Sequence, residues 1–265
     1  MSAARQVLDT GPGLIARQKI RAGRITTSTA GLAPGYVQAN IVILPSSSAD
    51  HFAAYCKSNP QACPLLAMSK PGDPALPALG CDIDIRSDLP GYQIFRNGEF
   101  AGETTDIEAV WSSDLVTFAI GCSFTFEAAL IAAGIPLRHV LQGRNVAMYR
   151  TNRPTQTVGP FRGPLVVSMR PIEFQDAARA SEITAKFHDM HGAPVQIGYP
   201  EVLGIRNLMQ PDYGDAVSIE AGEIPVFWAC GVTSQVAAQS ARLPILITHA
   251  PGKMLITDVL YSVQK

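Results

Sequence analysis

The apolar residues of this chain come in short runs, and each run is stopped by glycine, proline or a polar group. The run from Gln38 to Leu44 is β-branched and ends at Pro45. Leu165–Met169, Pro225–Ala229, Ile245–Thr248 and Met254–Thr257 repeat the pattern. Runs of this length read as strands. Segments with helical periodicity lie between them. Residues 176–191 place Ala177, Ala180 and Phe187 on one face, with Ile183 beside them, and Gly192 closes the segment. Thr233 caps a second such segment that reaches Ala241 before Pro244. Apolar strands alternating with helices predict an α/β layered fold.

Local signals add detail. Ser47 or Ser48 caps a helix carrying Phe52, Tyr55 and Cys56, which ends at Asn59 because a residue before proline avoids the helical region. Asn97-Gly98 between Tyr92/Ile94 and Phe100 predicts a two-residue hairpin turn. Ser113 is expected to cap a helix through Leu115, Val116 and Ala119, interrupted at Gly121-Cys122-Ser123; Ser123 then caps another to Ala133, stopped by Gly134 and Pro136. Strands are expected at Val195–Ile197 and Ala216–Ile219, a loop-rich stretch at Pro64–Pro90, and a short helix near Ala3–Leu8. These elements suggest a main α/β domain from residues 1–70 and 151–265, with a smaller α+β unit inserted at 71–150.

Composition narrows the partners. Twenty-one basic against 22 acidic residues leave a net charge of −1, too little positive charge for a nucleic-acid backbone. Hydrophobic residues at 47% with only 16% charged exclude disorder and supply a large core. No apolar run reaches the ~18 residues that span a bilayer, and Met1–Gly13 shows no secretory pattern, so no membrane partner is expected. Five cysteines, an odd number with no CxxC pair, argue against a disulfide framework or zinc site and for a reducing, cytoplasmic setting. The charge balance and apolar content are compatible with a homo-oligomer.

The usual nucleotide-binding, α/β-hydrolase and zincin motifs are absent. His188-x-x-His191 resembles a metal pair but fits a helix C-terminus as well. More informative are polar groups where strands end, the place where open α/β sheets bind ligands. Ser168 and Arg170, Cys230, and Thr248-His249 all follow apolar strands. Arg150, Thr151 and Asn152 form a dense donor set, and Arg150 or Arg170 could grip a carboxylate with a parallel pair of hydrogen bonds. Cys122 lies where a helix start would attract an anion or lower a thiol pKa, which makes it a candidate nucleophile, with Glu127 one turn on as a candidate acid or base; a free cysteine is otherwise a small buried apolar residue. Asp212 and Asp215 flank Gly214 in a turn.

Taken together, Ala33–Gln38, Cys63–Leu66, Gly121–Glu127, Met148–Asn152, Gly163–Pro171, His191–Val195, Pro225–Val232 and Thr248–Gly252 resemble, in this order, the D-glutamate cyclase family, whose members also bear the hydro-lyase label. The resemblance covers the chain from about Gly31. It implies conversion of D-glutamate to 5-oxo-D-proline with loss of water, on a small dicarboxylate or amino-acid substrate. No organic cofactor is required; a divalent ion could act as Lewis acid. Chemistry then suggests Glu127, Asp215 or His249 as base, helix-start N–H groups near Cys122 or Cys230 for the oxyanion, and Arg150 or Arg170 for the α-carboxylate. Another small hydroxy-acid dehydratase, or a carboxylate-binding protein without turnover, would use the same pocket. Three positions depart from the family pattern: Gln196, Tyr199 and Lys253.

Overall fold

Residues Tyr36–Pro45 form β1, and all ten are buried because the strand lies inside a sheet covered on both faces. In this computed structural model, which describes residues 11–261, the elements run α1 (Pro12–Arg21), β1, α2 (Ala49–Ser58), β2 (Leu65–Met68), β3 (Tyr92–Arg96), β4 (Glu99–Thr104), β5 (Leu115–Gly121), α3 (Phe124–Ala132), α4 (Arg138–Leu141), β6 (Ala147–Pro154), β7 (Pro164–Glu173), α5 (Ala177–Ala185), β8 (Gln196–Ile197), β9 (Glu223–Ala229), α6 (Val232–Ser240), β10 (Leu246–His249) and β11 (Leu255–Leu260). The fold is α/β: helices punctuate and cover two sheets. The larger sheet has the order β2-β5-β1-β10-β3-β4, with β11 also on β1; the smaller has β6-β7-β9-β8. Every pairing between named strands is antiparallel. Residues 71–150 supply β3, β4 and β5 to the first sheet and β6 to the second.

Most expected elements are present, including the hairpin, with Asn97 and Gly98 both at positive φ. The exceptions have physical causes. The helix expected through Leu115 and Ala119 is the strand β5. All seven residues of β5 are buried between β1 and β2, so no alternation of polar groups marks its period. Ala216–Ile219 forms no strand, since only Tyr213 nearby bridges to Met148. The helix expected over 176–191 stops at Ala185 and is followed by a single 3-10 turn, His188–Met190, in which His188 is exposed while His191 is buried at φ 77°. The Ser123 and Thr233 side chains do not cap their helices. Ser123 accepts from Arg170, and Thr233 accepts the Val166 N–H. β2 forms within the stretch expected to be loop. The helix expected near Ala3–Leu8 lies outside the described residues.

α1 is held by a buried ion-pair cluster rather than by apolar packing alone. Arg17, fully buried, donates to both carboxylate oxygens of Asp258 (3.0 and 2.6 Å) and to Asp82. Arg21 reaches Asp88 beside it. The one group of metal-ligand type among the described residues, Cys81, Asp82 and Asp258, therefore has its carboxylates committed to arginine. The segment between α1 and β1 folds back over the β10–β11 turn. Thr29 donates its N–H to Gly252 and accepts the Met254 N–H at 3.0 Å.

Candidate active site

Two strands, one from each sheet, end in the same kind of turn. β5 runs into Gly121-Cys122-Ser123 and α3; β9 runs into Cys230-Gly231 and α6. The ends of β5 and β9 face an enclosed chamber whose wall includes Asn40, Cys122, Phe124, Asn145, Cys230 and His249. Asn40 joins the two turns. Its Nδ2 donates to Gly121 O at 2.8 Å, and its amide presses on Gly231, where an added β-carbon would lie 2.1 Å from Nδ2. Glycine is required there by space, since φ is an ordinary −61°.

Behind Ser123 lies a charged network. Arg170, on β7 and fully buried, donates to Glu127 from Nε (3.1 Å) and Nη2 (2.6 Å), to Ser123 (3.0 Å) and to Ser168 (3.0 Å). Its guanidinium lies 5.1 Å from the Phe126 ring centre and 5.4 Å from that of Trp228. His139 donates Nε2–H to the same Glu127 oxygen at 3.0 Å. Burial pushes the Glu127 pKa up, but Arg170 and His139 outweigh it and hold the carboxyl below its ordinary value.

The chamber's titratable groups are uncharged. Burial lowers His249 to about 4 against a smaller opposing effect from the Ile41 backbone. Its Nδ1 lies 3.0 Å from the Ile41 N, and its Nε2 lies 3.0 Å from the Gln235 amide nitrogen. Gln235 lies against the ring, its Nε2 2.8 Å from Nδ1. Burial raises both thiols: Cys230 to about 11, partly offset by the Val232 N–H and Arg170, and Cys122 further.

Of the residues singled out from sequence, Cys122, Cys230 and His249 line the chamber, while Glu127, Ser168 and Arg170 lie behind it. The four bonds of Arg170 nearly exhaust its donors and leave no parallel pair for a ligand carboxylate. Asp215 is exposed and accepts the Asn145 N–H at 2.8 Å, at the chamber rim. Arg150 and Asn152 are exposed on β6, and Thr151 donates to Leu165 O at 2.7 Å; none of the three lines the chamber. Thr248 pairs with Val42 in the sheet, and its Oγ1 has no partner among the described residues. Gln196, exposed Tyr199 and Lys253, which pairs with Glu103, also lie outside the chamber wall. Asn40, Asn145 and His139 were not apparent from sequence, because only the crossing of the two sheets brings them in.

The chamber is tight, with a free volume of about 20 Å³. A second, largely apolar cavity of about 390 Å³ adjoins it, lined by Tyr36, Gln38, Glu127 and Ile131, and Phe124 belongs to the wall of both. Gln38 Oε1 is buried without a partner among the described residues. A roomier groove of about 650 Å³ along α2 is wide open, and no buried polar side chains converge on it.

These features define an α/β protein with a tight chamber between two sheet ends. The chain belongs to the D-glutamate cyclase family, whose model matches residues 116–258. It is 57% identical over 253 residues to a Bordetella petrii chain named "putative hydro-lyase", covering 96% of each. Chains of the same name from Methylobacterium radiotolerans (57% over 245 residues; 92% of this chain, 90% of that one) and Verminephrobacter eiseniae (58% over 245 residues; 92% and 89%) are similar throughout. A nitrogen repressor-like protein from Methanococcus jannaschii aligns over 98% of this chain and 100% of its own at 11% identity and a TM-score of 0.40, too weak a likeness to bear on function.

Proposed function

We propose that this chain is a hydro-lyase that closes D-glutamate to 5-oxo-D-proline and water, with the chamber between β5 and β9 as its active site. The observation that supports this most is the convergence of two helix starts and a neutral imidazole on one enclosed space. In the reaction the nitrogen bonds to the side-chain carboxyl carbon, one C–O bond breaks, and two protons move from nitrogen to the departing oxygen. No net acid or base is consumed.

The chain's contribution is placement and charge. A dry chamber disfavours separated charges, so the ammonium passes a proton to its own side-chain carboxylate. Holding the two ends together can supply about 7–11 kcal/mol of the barrier. The tetrahedral oxygen then faces the N–H groups of Ser123 and Gly231, because the next N–H groups of α3 and α6 are taken up within their own turns. With its pKa about 4, its Nδ1 against the Ile41 N and its Nε2 against Gln235, His249 is a neutral wall of the chamber rather than the base. Glu127 and Arg170 position Ser123 and the α3 start. The outer cavity is large enough for the substrate, and Phe124 stands in the wall that it shares with the chamber.

The test is direct. Incubate the protein with D-glutamate, and separately with 5-oxo-D-proline, from pH 6 to 9, and separate the products by chiral chromatography. Interconversion above the uncatalysed rate is expected. None at any pH ends this reading, and product from 2- or 3-hydroxy acids alone would replace it with a different dehydratase.

A further inference from the structure

Cyclisation leaves two buried thiols of the chamber without a task. They are matched to a degree that the helix starts alone do not require. Cys122-Ser-Phe-Thr125 and Cys230-Gly-Val-Thr233 are the same four-residue device. The residue after each thiol has nearly the same backbone, φ −61° and ψ −20° at Ser123 and φ −61° and ψ −18° at Gly231. The threonine N–H returns to the cysteine carbonyl at 3.1 and 3.0 Å. The N–H two residues on, from Phe124 or Val232, points at the sulfur. Each threonine hydroxyl accepts an N–H from a neighbouring strand, Gln38 at 3.1 Å and Val166 at 2.9 Å. Cys122 and Cys230, each just beyond a strand of a different sheet, both line the chamber, and the Cys230 thiol lies 3.5 Å from Met148 Sδ.

A separate observation points to a ligand. Asn40 lies between the two turns and is only 2% exposed. Its side-chain hydrogen bonds are both donated by Nδ2, so its Oδ1 accepts none among the described residues. Asn145 Oδ1, also in the chamber wall, has no partner among the described residues. Two unpaired amide oxygens suit an ammonium, and the N–H groups of Ser123 and Gly231, which open the two turns, suit a carboxylate.

We propose that this thiol pair gives the chamber a second activity: exchange of the α-proton of an amino acid, with inversion at the α-carbon. The proposal rests on the reading above only in that the chamber takes an amino acid. One thiol first passes its proton to the amine of an amino acid bound as the free base; the resulting thiolate then removes the α-proton, so that the C–H bond breaks, an S–H bond forms, and the electron pair moves onto the α-carboxylate. The other sulfur gives its proton to the opposite face, forming the new C–H bond and becoming the thiolate. Nothing is oxidised or reduced. Enantiomers have equal free energy, so a matched acid and base serve both directions, as two copies of one device do. Cys230 ionises before Cys122, because burial raises it less.

The experiment follows D- and L-glutamate in D₂O by proton NMR and chiral chromatography, with cyclisation measured in the same samples. The wild type should exchange the α-proton of both enantiomers and form each from the other. Cys122→Ser and Cys230→Ser should each lose inversion about 10²–10⁴-fold, the scale of a general acid or base. Each should still exchange one enantiomer, and the two variants opposite ones. Cys122→Ala and Cys230→Ala, checked for folding by urea titration, should lose inversion likewise. Absence of exchange in the wild type overturns the proposal, and if cyclisation persists the cyclase reading stands alone. Variants that invert at the wild-type rate overturn it as well. Exchange without cyclisation upholds it and removes the cyclase reading.

Discussion

Arg170 meets a single carboxylate oxygen of Glu127 twice, at 2.6 and 3.1 Å, with both side chains buried. Breaking such a pair from one side costs about 3–5 kcal/mol, because the remaining charge stays buried. Arg170→Met should therefore lower the urea midpoint sharply, and Glu127→Gln should do so too. The double variant should be far more stable than the sum of the single losses. Additive losses in a double-mutant cycle would show that the two side chains do not act as a pair.

Gly231 and Asn40 make a steric prediction. Gly231→Ala puts a β-carbon 2.1 Å from the Asn40 amide, so about 1–3 kcal/mol of overpacking strain is expected. Adding Asn40→Ala should restore part of the stability but not the activity of the chamber. If Gly231→Ala alone melts at the wild-type temperature, the close approach is not a constraint.

Two buried imidazoles set a pH dependence. Burial lowers His191 and His249 to about 4, whereas an unfolded histidine titrates near 6.5. Between these values the unfolded chain binds more protons. Stability should thus be full above about pH 6.5 and fall as pH drops toward 4, by on the order of 3 kcal/mol per histidine. Glu127, held below its ordinary value, adds a further loss at lower pH. Replacing His191 or His249 by Gln should flatten the slope of stability between pH 4 and 6.5 by about one proton. A slope unchanged in both variants would place the acid sensitivity elsewhere.

Thiol chemistry should separate the cysteines. Cys81 is exposed, whereas Cys56, Cys63, Cys122 and Cys230 are buried. With iodoacetamide at pH 8, Cys81 should be alkylated first. Cys122 and Cys230 should follow only at the rate of local opening, because burial keeps them protonated. Peptide mass mapping over time reads the order, and rapid labelling of Cys122 in the folded protein would contradict its burial.

Arg150 is exposed on β6, and its backbone N–H is tied to Asp212. Arg150→Ala should leave the KM for D-glutamate within about twofold of wild type, the scale of an ordinary surface change. A large rise in KM would return this arginine to the carboxylate-binding role its donor-rich neighbours suggest.

What the sequence by itself determined was local. Runs ending in proline, glycine or polar groups marked β1, β7, β9 and β10, and Asn97-Gly98 marked the hairpin, because turn and strand preferences act over a few residues. The strand ends at Cys230 and His249 were legible in the same way, whereas Cys122 was legible only as a break between two helices. Tertiary structure decided the rest. Burial between two strands made β5 a strand where local signals favoured helix. The packing of one sheet against the other brought Asn40 to Gly231 across 191 positions and committed Arg170 to Glu127 rather than to the chamber. Contacts between residues so distant in sequence depend on how buried surfaces match, which the pattern along one strand does not encode.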